Sequence, residues 1–135
     1  MKVLFFLKST TQAFSLNEKH QQRIQDELSF CTTIFCWTQD DFVVQLKDTD
    51  IAITWYFDEK WYQKAPQLKA VYTPAAGKDW VVKHPDNSII PVHGTFHGTL
   101  MSESFIGMVL YFNRRFKDLL DNKMQHRWDR TPFIG

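Results

Sequence analysis

The stretch KVLFFLKSTTQAFSLNE, residues 2–18, decides how the rest of the chain reads. Its apolar run, Val3 to Leu7, is shorter than the hydrophobic region of a secretion signal, and no small-residue cleavage site follows it. A core strand is the remaining reading. After a hydroxyl-rich turn comes SLNE, with Ser15 three residues before Glu18, the spacing of a helix-opening capping box. A buried strand that feeds a helix through a short turn is the first half of a β-α-β unit.

Working outward, strand-length apolar runs recur at 31–37 (CTTIFCW), 50–56 (DIAITWY), 68–74 (LKAVYTP) and 88–94 (SIIPVHG). They are continuous rather than alternating, as in parallel strands covered on both faces. Helical segments lie between them. TQDD places Thr38 three residues before Asp41, and Asp58 is positioned to cap a short third helix that must stop before Pro66. Leu16, Ile24 and Leu28 share one face of the first helix. The order β-α-β-α-β-α-β, a loop and a last strand defines an α/β fold of flavodoxin-like style. It is an open parallel sheet of about five strands in three layers, with right-handed crossovers.

The last third follows a different pattern. Thr99 to Trp128 reads as one long helix, with Phe105, Met108, Val109, Phe112, Phe116, Leu119 and Leu120 at the spacing of an apolar stripe. About 30 residues at about 1.5 Å each would span roughly 45 Å, more than a small sheet needs for cover. Such a helix is expected to connect domains or to form an interface.

Composition narrows the function classes. The chain has 135 residues, of which 44% are hydrophobic and 23% charged, the proportions of one folded domain. Sixteen basic against fifteen acidic residues, a net charge of +1, give no electrostatic reason to expect nucleic acid or a membrane surface. Cys31 and Cys36, an odd number of residues apart in one strand, point to opposite faces. They read as buried free thiols of a cytoplasmic protein.

In open α/β sheets, ligands bind outside the carboxyl ends of the strands. The most informative end is YTPAAGKDW (72–80), where Pro74, Ala75, Ala76 and Gly77 leave backbone amides open to a carboxylate or phosphate. His93 and His97 are four apart, but Gly94 and Thr95 argue against a helix there, and no cysteine or carboxylate is spaced to complete a zinc site. No metal site is expected. A phosphoacceptor domain needs an aspartate closing the third strand, where Trp55-Tyr56-Phe57 stand, and acids after the first, where Lys8-Ser9-Thr10 stand. STTQ (9–12) has the hydroxyls of a flavin-phosphate loop without its glycine, and the dinucleotide fingerprint G-x-G-x-x-G is absent from the sequence.

Two of these stretches carry a resemblance. AAGKDW (75–80) resembles the A-G-x-D loop of the D-isomer-specific 2-hydroxyacid dehydrogenases. LMSESFIGMVLYFNRRF (100–116), followed by QHRW (125–128), is similar to the helix in which a hydrophobic, a small residue and Glu open a long run ending in Arg-Arg. The resemblance covers nearly the whole chain and is closest to the glyoxylate/hydroxypyruvate reductase-like branch. It implies that residues 1–98 form a flavodoxin-like substrate-binding domain and 99–130 a crossing and dimerisation helix. Residues 131–135 then open an NAD(P)-binding Rossmann domain that the 135 residues do not include.

The same resemblance implies that Ala76 and Gly77 hold the substrate carboxylate through their amides. Tyr56 and Phe57 line the pocket at the end of strand three, and Leu100 and Met101 lie at the hinge beside it. Many members have a second glycine where this chain has Ala75, which narrows the loop. The catalytic Arg, Glu and His of the family, and its NAD or NADP loop, correspond to sequence beyond Gly135. The chain is then expected to be inactive alone, to bind no cofactor itself, to take a small 2-hydroxy or 2-keto acid as its ligand, and to form a homodimer or swapped oligomer through helix 99–128. A stand-alone flavodoxin-like module whose long helix docks a partner is the alternative.

Overall fold

The computed structural model describes residues 1–131. Apart from Thr131, the expected start of a cofactor domain at 131–135 therefore lies outside the described residues. The chain divides into two compact units, Met1–Thr95 and the part from Phe96 onward.

The first unit is a five-stranded sheet. Its strands are β1 (Lys2–Phe6), β2 (Thr32–Phe35), β3 (Ile51–Thr54), β4 (Ala70–Thr73) and β5 (Val92–His93). Their order is β2-β1-β3-β4-β5, and every pairing is parallel. This is the doubly wound flavodoxin-like order, in which β1 is followed on one side by β2 and on the other by β3. The helices are α1 (Glu18–Glu27), α2 (Gln39–Gln45) and α3 (Glu59–Tyr62), with 3-10 turns at Gln12–Phe14 and Leu46–Asp48.

Thr38 caps α2, its side chain accepting the Asp41 amide at 3.1 Å, and Asp58 caps α3 by accepting the Lys60 amide at 2.8 Å. The first cap differs from the sequence expectation. Asn17, not Ser15, opens α1, accepting the His20 amide at 2.9 Å while the His20 ring accepts the Asn17 amide. Ser15 is instead spent inside the turn before it, where its hydroxyl accepts the Ser9 amide and donates to the Ser9 carbonyl. Leu16 thus precedes the helix, and Gln21, Ile24 and Leu28 form its half-buried side.

The fifth strand is also shorter than its apolar run. Pro91 has no amide to give to a ladder, so pairing begins only at Val92. Before it, the chain turns on itself, with the His84 amide bonded to the Ile89 carbonyl and Asp86 accepting the Ser88 amide.

One sheet face is deeply covered. Leu4, Ala52 and Val71 lie side by side in register and are fully buried against Phe42, Leu46, Phe57 and Trp61. The other face is closed over Val3 and Phe5, yet it leaves Tyr72 and Val92 more than two-fifths exposed. Cover on both faces, expected from the continuous apolar runs, therefore holds for β1 and fails toward the β4-β5 edge.

The second unit consists of α4 (His97–Asn113) and α5 (Phe116–Met124). The single helix expected over 99–128 is broken at Arg114-Arg115, so α4 extends only about 25 Å. Arg115 sits in the left-handed region at φ 48°, ψ 45°, which ends α4 as a C-terminal cap residue would. Its guanidinium Nε meets Asp118 Oδ2 at 2.7 Å in the first turn of α5. Neither Gly nor Pro marks the break, so the apolar spacing carries the pattern through it.

The two thiols differ in environment. Cys31 is half-buried and Cys36 buried, and both are free. Burial, then the Asp41 carboxylate, pushes the Cys36 thiol above its ordinary range, with Lys2 opposing. At pH 8, iodoacetamide is expected to alkylate Cys31 first and to reach Cys36 only in denaturant. Peptide mass spectrometry showing equal early labelling would contradict this.

Candidate functional site

Parallel strands put all their carboxyl ends on one edge, and the segments leaving that edge form the candidate site of the first unit. After β1, the turn Lys8–Ser15 is knitted by its own hydroxyls, the Thr11 amide donating to Ser9 Oγ at 3.2 Å. After β3, Trp55 donates its indole N–H to the Phe14 carbonyl at 2.8 Å, and the two rings meet edge to face at 6.0 Å. This bridge joins the segments leaving β1 and β3, the point where the strand order reverses and where such sheets open a crevice. Nothing in the sequence pattern announces it, because it depends on a carbonyl 41 residues away.

The segment after β4 is anchored at both ends. At its root, the Ala75 amide donates to Thr73 Oγ1 at 3.2 Å and the Ala75 carbonyl accepts the Gly94 amide at 3.2 Å. At its far end, the Phe57 amide donates to the Trp80 carbonyl at 3.0 Å and the Val82 amide donates to the Phe57 carbonyl at 3.1 Å. A parallel bridge between Phe57 and Val81 results. Between the anchors, Ala76, Gly77, Lys78 and Asp79 stand exposed. Among the described residues, neither the Ala76 nor the Gly77 amide has a hydrogen-bond acceptor.

Gly77 does not have a positive φ, and a Cβ built on it would meet no atom within 4 Å. The loop therefore does not need glycine for its backbone. It also lacks the alternating left-handed residues of one kind of anion nest, so its amides are held open by the two anchors.

The six expected site residues separate into distinct surroundings. Ala76 and Gly77 lie on this anchored loop. Tyr56 is exposed, and its hydroxyl donates to Asp58 Oδ2 at 2.9 Å, which raises the phenol above its ordinary range. Asp58 is held below the usual carboxylate range first by the Lys60 amide and then by that phenol. Phe57 is fully buried, its ring set against Phe42, Trp61 and Tyr62, so its side chain belongs to the core and only its backbone serves the loop. That corrects the expectation of a pocket-lining ring. A residue three past a strand end can turn inward as readily as outward. Leu100 and Met101 belong to the second unit, where they join Phe105 and Met108 in an exposed apolar patch on α4.

Beside α3, an open cleft of about 400 Å3 is lined by Asp58, Glu59, Lys60, Tyr62, Gln63, His84 and Pro85. The Tyr62 hydroxyl donates to the Val82 carbonyl at 2.7 Å, and burial pushes it up to about 12. His84 Nδ1 pairs with Asp86, whose carboxyl is held at about 2 chiefly by Ser88. These groups satisfy one another. His93 is different: its Nδ1 is buried without a partner, as is Nδ1 of His97 in the second unit. Among the described residues, no group of three or more His, Cys, Asp or Glu is placed to hold a metal ion. No helix there is long and apolar enough to cross a membrane.

No family model and no curated protein matches the sequence. Solved structures do match in fold. An NAD-dependent formate dehydrogenase from Staphylococcus aureus, in complex with NAD, superposes with a TM-score of 0.62 at 20% identity over 98% of this chain and 44% of its own. A D-lactate dehydrogenase from Treponema pallidum gives 0.67 at 14% identity over 100% of this chain and 43% of its own. An acyclic imino acid reductase, in complex with NADPH and D-Arg, gives 0.60 at 18% identity over 99% and 44%. At these identities the likeness establishes the α/β fold. The chain spans less than half the length of the proteins it matches.

The anchors make the loop and the core separable by experiment. Gly77→Ala is expected to shift stability by no more than about 0.5 kcal/mol, since the added methyl meets open space. Phe57→Ala, which empties a fully buried ring site, is expected to cost about 3–5 kcal/mol. Urea unfolding followed by tryptophan fluorescence measures both. A comparable loss in the two variants would mean that the loop is part of the core.

Proposed function

We propose that this chain is the substrate-binding portion of an NAD(P)-dependent D-2-hydroxyacid dehydrogenase, or 2-keto acid reductase, of cytoplasmic location. The observation that carries this reading is the loop Thr73–Val81, which offers two unpaired amides at the carboxyl edge of a flavodoxin-like sheet. Fold likeness to dehydrogenases and a reductase, each spanned over less than half its length, supports it. The resemblance of 75–80 and 100–116 to that family's loop and helix adds to it.

In this reading the Ala76 and Gly77 amides hold the substrate carboxylate, with Tyr56 at the neighbouring strand end, and the family resemblance adds Leu100 and Met101 to the substrate contacts. Backbone donors suit this task because they are fixed by the fold and keep their proton at any working pH. A nicotinamide cofactor would bring hydride chemistry to the complete enzyme. The residues of this chain do not fit that cofactor: the sequence has no glycine-rich phosphate loop. The catalytic His, Arg and Glu are likewise assigned to further sequence, so these 135 residues bind and orient substrate without turning it over.

Glyoxylate, hydroxypyruvate or phenylpyruvate is expected to raise the melting temperature of the chain saturably, with no NAD(P)H oxidation. Absence of any saturable shift would remove the substrate reading, and turnover by a preparation free of contaminating enzyme would overturn the division of labour. In the complete enzyme, Gly77→Val is expected to raise KM several-fold through crowding at the amides, while protein yield holds.

The second unit favours a partner. Phe105, Met108, Val109 and Phe112 of α4 and Phe116, Leu119 and Leu120 of α5 are all exposed, an amount of apolar surface of the kind that marks interfaces. We assign it to a homodimer. Phe112→Asp is expected to shift the chain toward monomer in sedimentation velocity, and an unchanged distribution would move the interface elsewhere. Tight capture of a different protein through this helix, with no small-molecule effect, is the result expected of a stand-alone docking module.

A further inference from the structure

The last residue of the edge strand stands beside the root of the substrate loop. His93 pairs with Thr73, and paired residues in parallel strands project to the same face. Thr73 Oγ1 accepts the Ala75 amide, and Ala75 in turn is tied to Gly94, the neighbour of His93. One step beyond the Ile53–Tyr72 pair, the same row runs back through Thr54, whose hydroxyl donates to the Tyr56 carbonyl at 2.9 Å. The row thus links both segments that carry expected site residues, and His93 is its end.

Two threonine hydroxyls of this row are engaged with nearby backbone, whereas the imidazole is not. Nδ1 of His93 is buried with no partner. Nε2 likewise has no partner among the described residues, yet it is not buried, so it is the nitrogen that solvent or a ligand can reach. The two neutral tautomers differ in what they offer a ligand. Either one leaves a buried polar Nδ1 unpaired, as a donor or as an acceptor, at about 1–3 kcal/mol. Only a proton on Nε2 presents an N–H outward. The other ring of the unit with a similar setting, His84, has its Nδ1 occupied by Asp86 and is explained by the turn it braces.

We propose that His93 is a ligand-contacting residue of the candidate site, an imidazole that donates its Nε2–H to an oxygen of the acid held at the Ala76 and Gly77 amides. This rests on the substrate reading above and adds to it a side-chain donor. The backbone amides recognise a carboxylate of any acid. A single directional N–H from the strand end at the loop root would select acids that carry a second oxygen acceptor next to the carboxylate, the 2-oxo and 2-hydroxy acids.

The test uses the 135-residue chain with 15N-labelled histidine and glyoxylate as probe. Long-range 1H–15N correlation is expected to show the Nε2–H tautomer for His93 in the free chain. Glyoxylate should then shift the His93 Nε2 and the Ala76 and Gly77 amide resonances with one common Kd. His93→Phe, which keeps a ring and removes the donor, is expected to weaken binding about tenfold. His93→Gln, which restores an N–H, should return within about threefold of the native value.

An Nδ1–H tautomer, or an unchanged Kd in a folded His93→Phe chain, overturns the proposal. Saturation at Ala76 and Gly77 with a silent His93 removes this inference and leaves the substrate reading standing. No saturation at the two amides in the native chain removes both.

Discussion

The burial of Phe42 is the constraint from which the site's geometry follows. Its ring is fully buried and meets Phe6 from β1, Phe57 from the end of β3 and Trp61 from α3. Full burial of such a side chain stabilises by about 1.5–3 kcal/mol, and the edge-to-face contacts add roughly 0.5–1.5 kcal/mol each. That energy fixes Phe57 inward. With the side chain held, the Phe57 amide and carbonyl are presented sideways to Trp80 and Val82, and they capture the far end of the loop after β4. A packing interaction inside the domain thereby sets the position of backbone amides on its surface.

The opposite anchor works through a different chemistry. Thr73 is buried at 4% exposure and spends its hydroxyl oxygen on the Ala75 amide, turning the chain immediately as the strand ends. Gly94 then bonds to the Ala75 carbonyl, so the loop root is fastened to the edge strand as well. A four-residue exposed stretch held at both ends loses little further entropy when a ligand arrives, which is the physical content of preorganisation. The loop carries a carboxylate-sized opportunity without any charged residue having to be buried for it.

How much of this was legible in the sequence follows from which forces are local. Strand runs, their order and the parallel sheet could be read because burial repeats along each segment, and the caps at Thr38 and Asp58 because they act within three residues. The first cap misread Ser15 because a hydroxyl in a turn has competing nearby amides, and Ser9 won. Phe57 misread for a related reason: its direction is decided by α2 and α3, whose packing no short window contains. The break at Arg115 carries no Gly or Pro, and an apolar stripe at helical spacing is indifferent to a single left-handed residue. Ala76 and Gly77 were visible as small residues at a strand end, whereas the anchors that give their amides a fixed place were not.

The two units differ in what holds them, and that difference bears on function. In the first, side chains from β1, α2, β3, α3 and β4 converge on one buried cluster, and polar groups near the edge are largely paired. In the second, α4 is apolar along most of its length, yet almost every side chain of it is exposed, and its own hydrogen bonds and the Arg115–Asp118 pair supply its local order. An exposed ion pair contributes less than about 1 kcal/mol, far below what such a helix gains by covering its apolar surface. The sheet unit is therefore held by its own buried cluster, and the helical unit leaves most of its apolar side chains exposed. In the proposed reading, recognition falls to the loop of one unit and association to the apolar arm of the other, on separate elements. Each can then be altered by substitution without destroying the other.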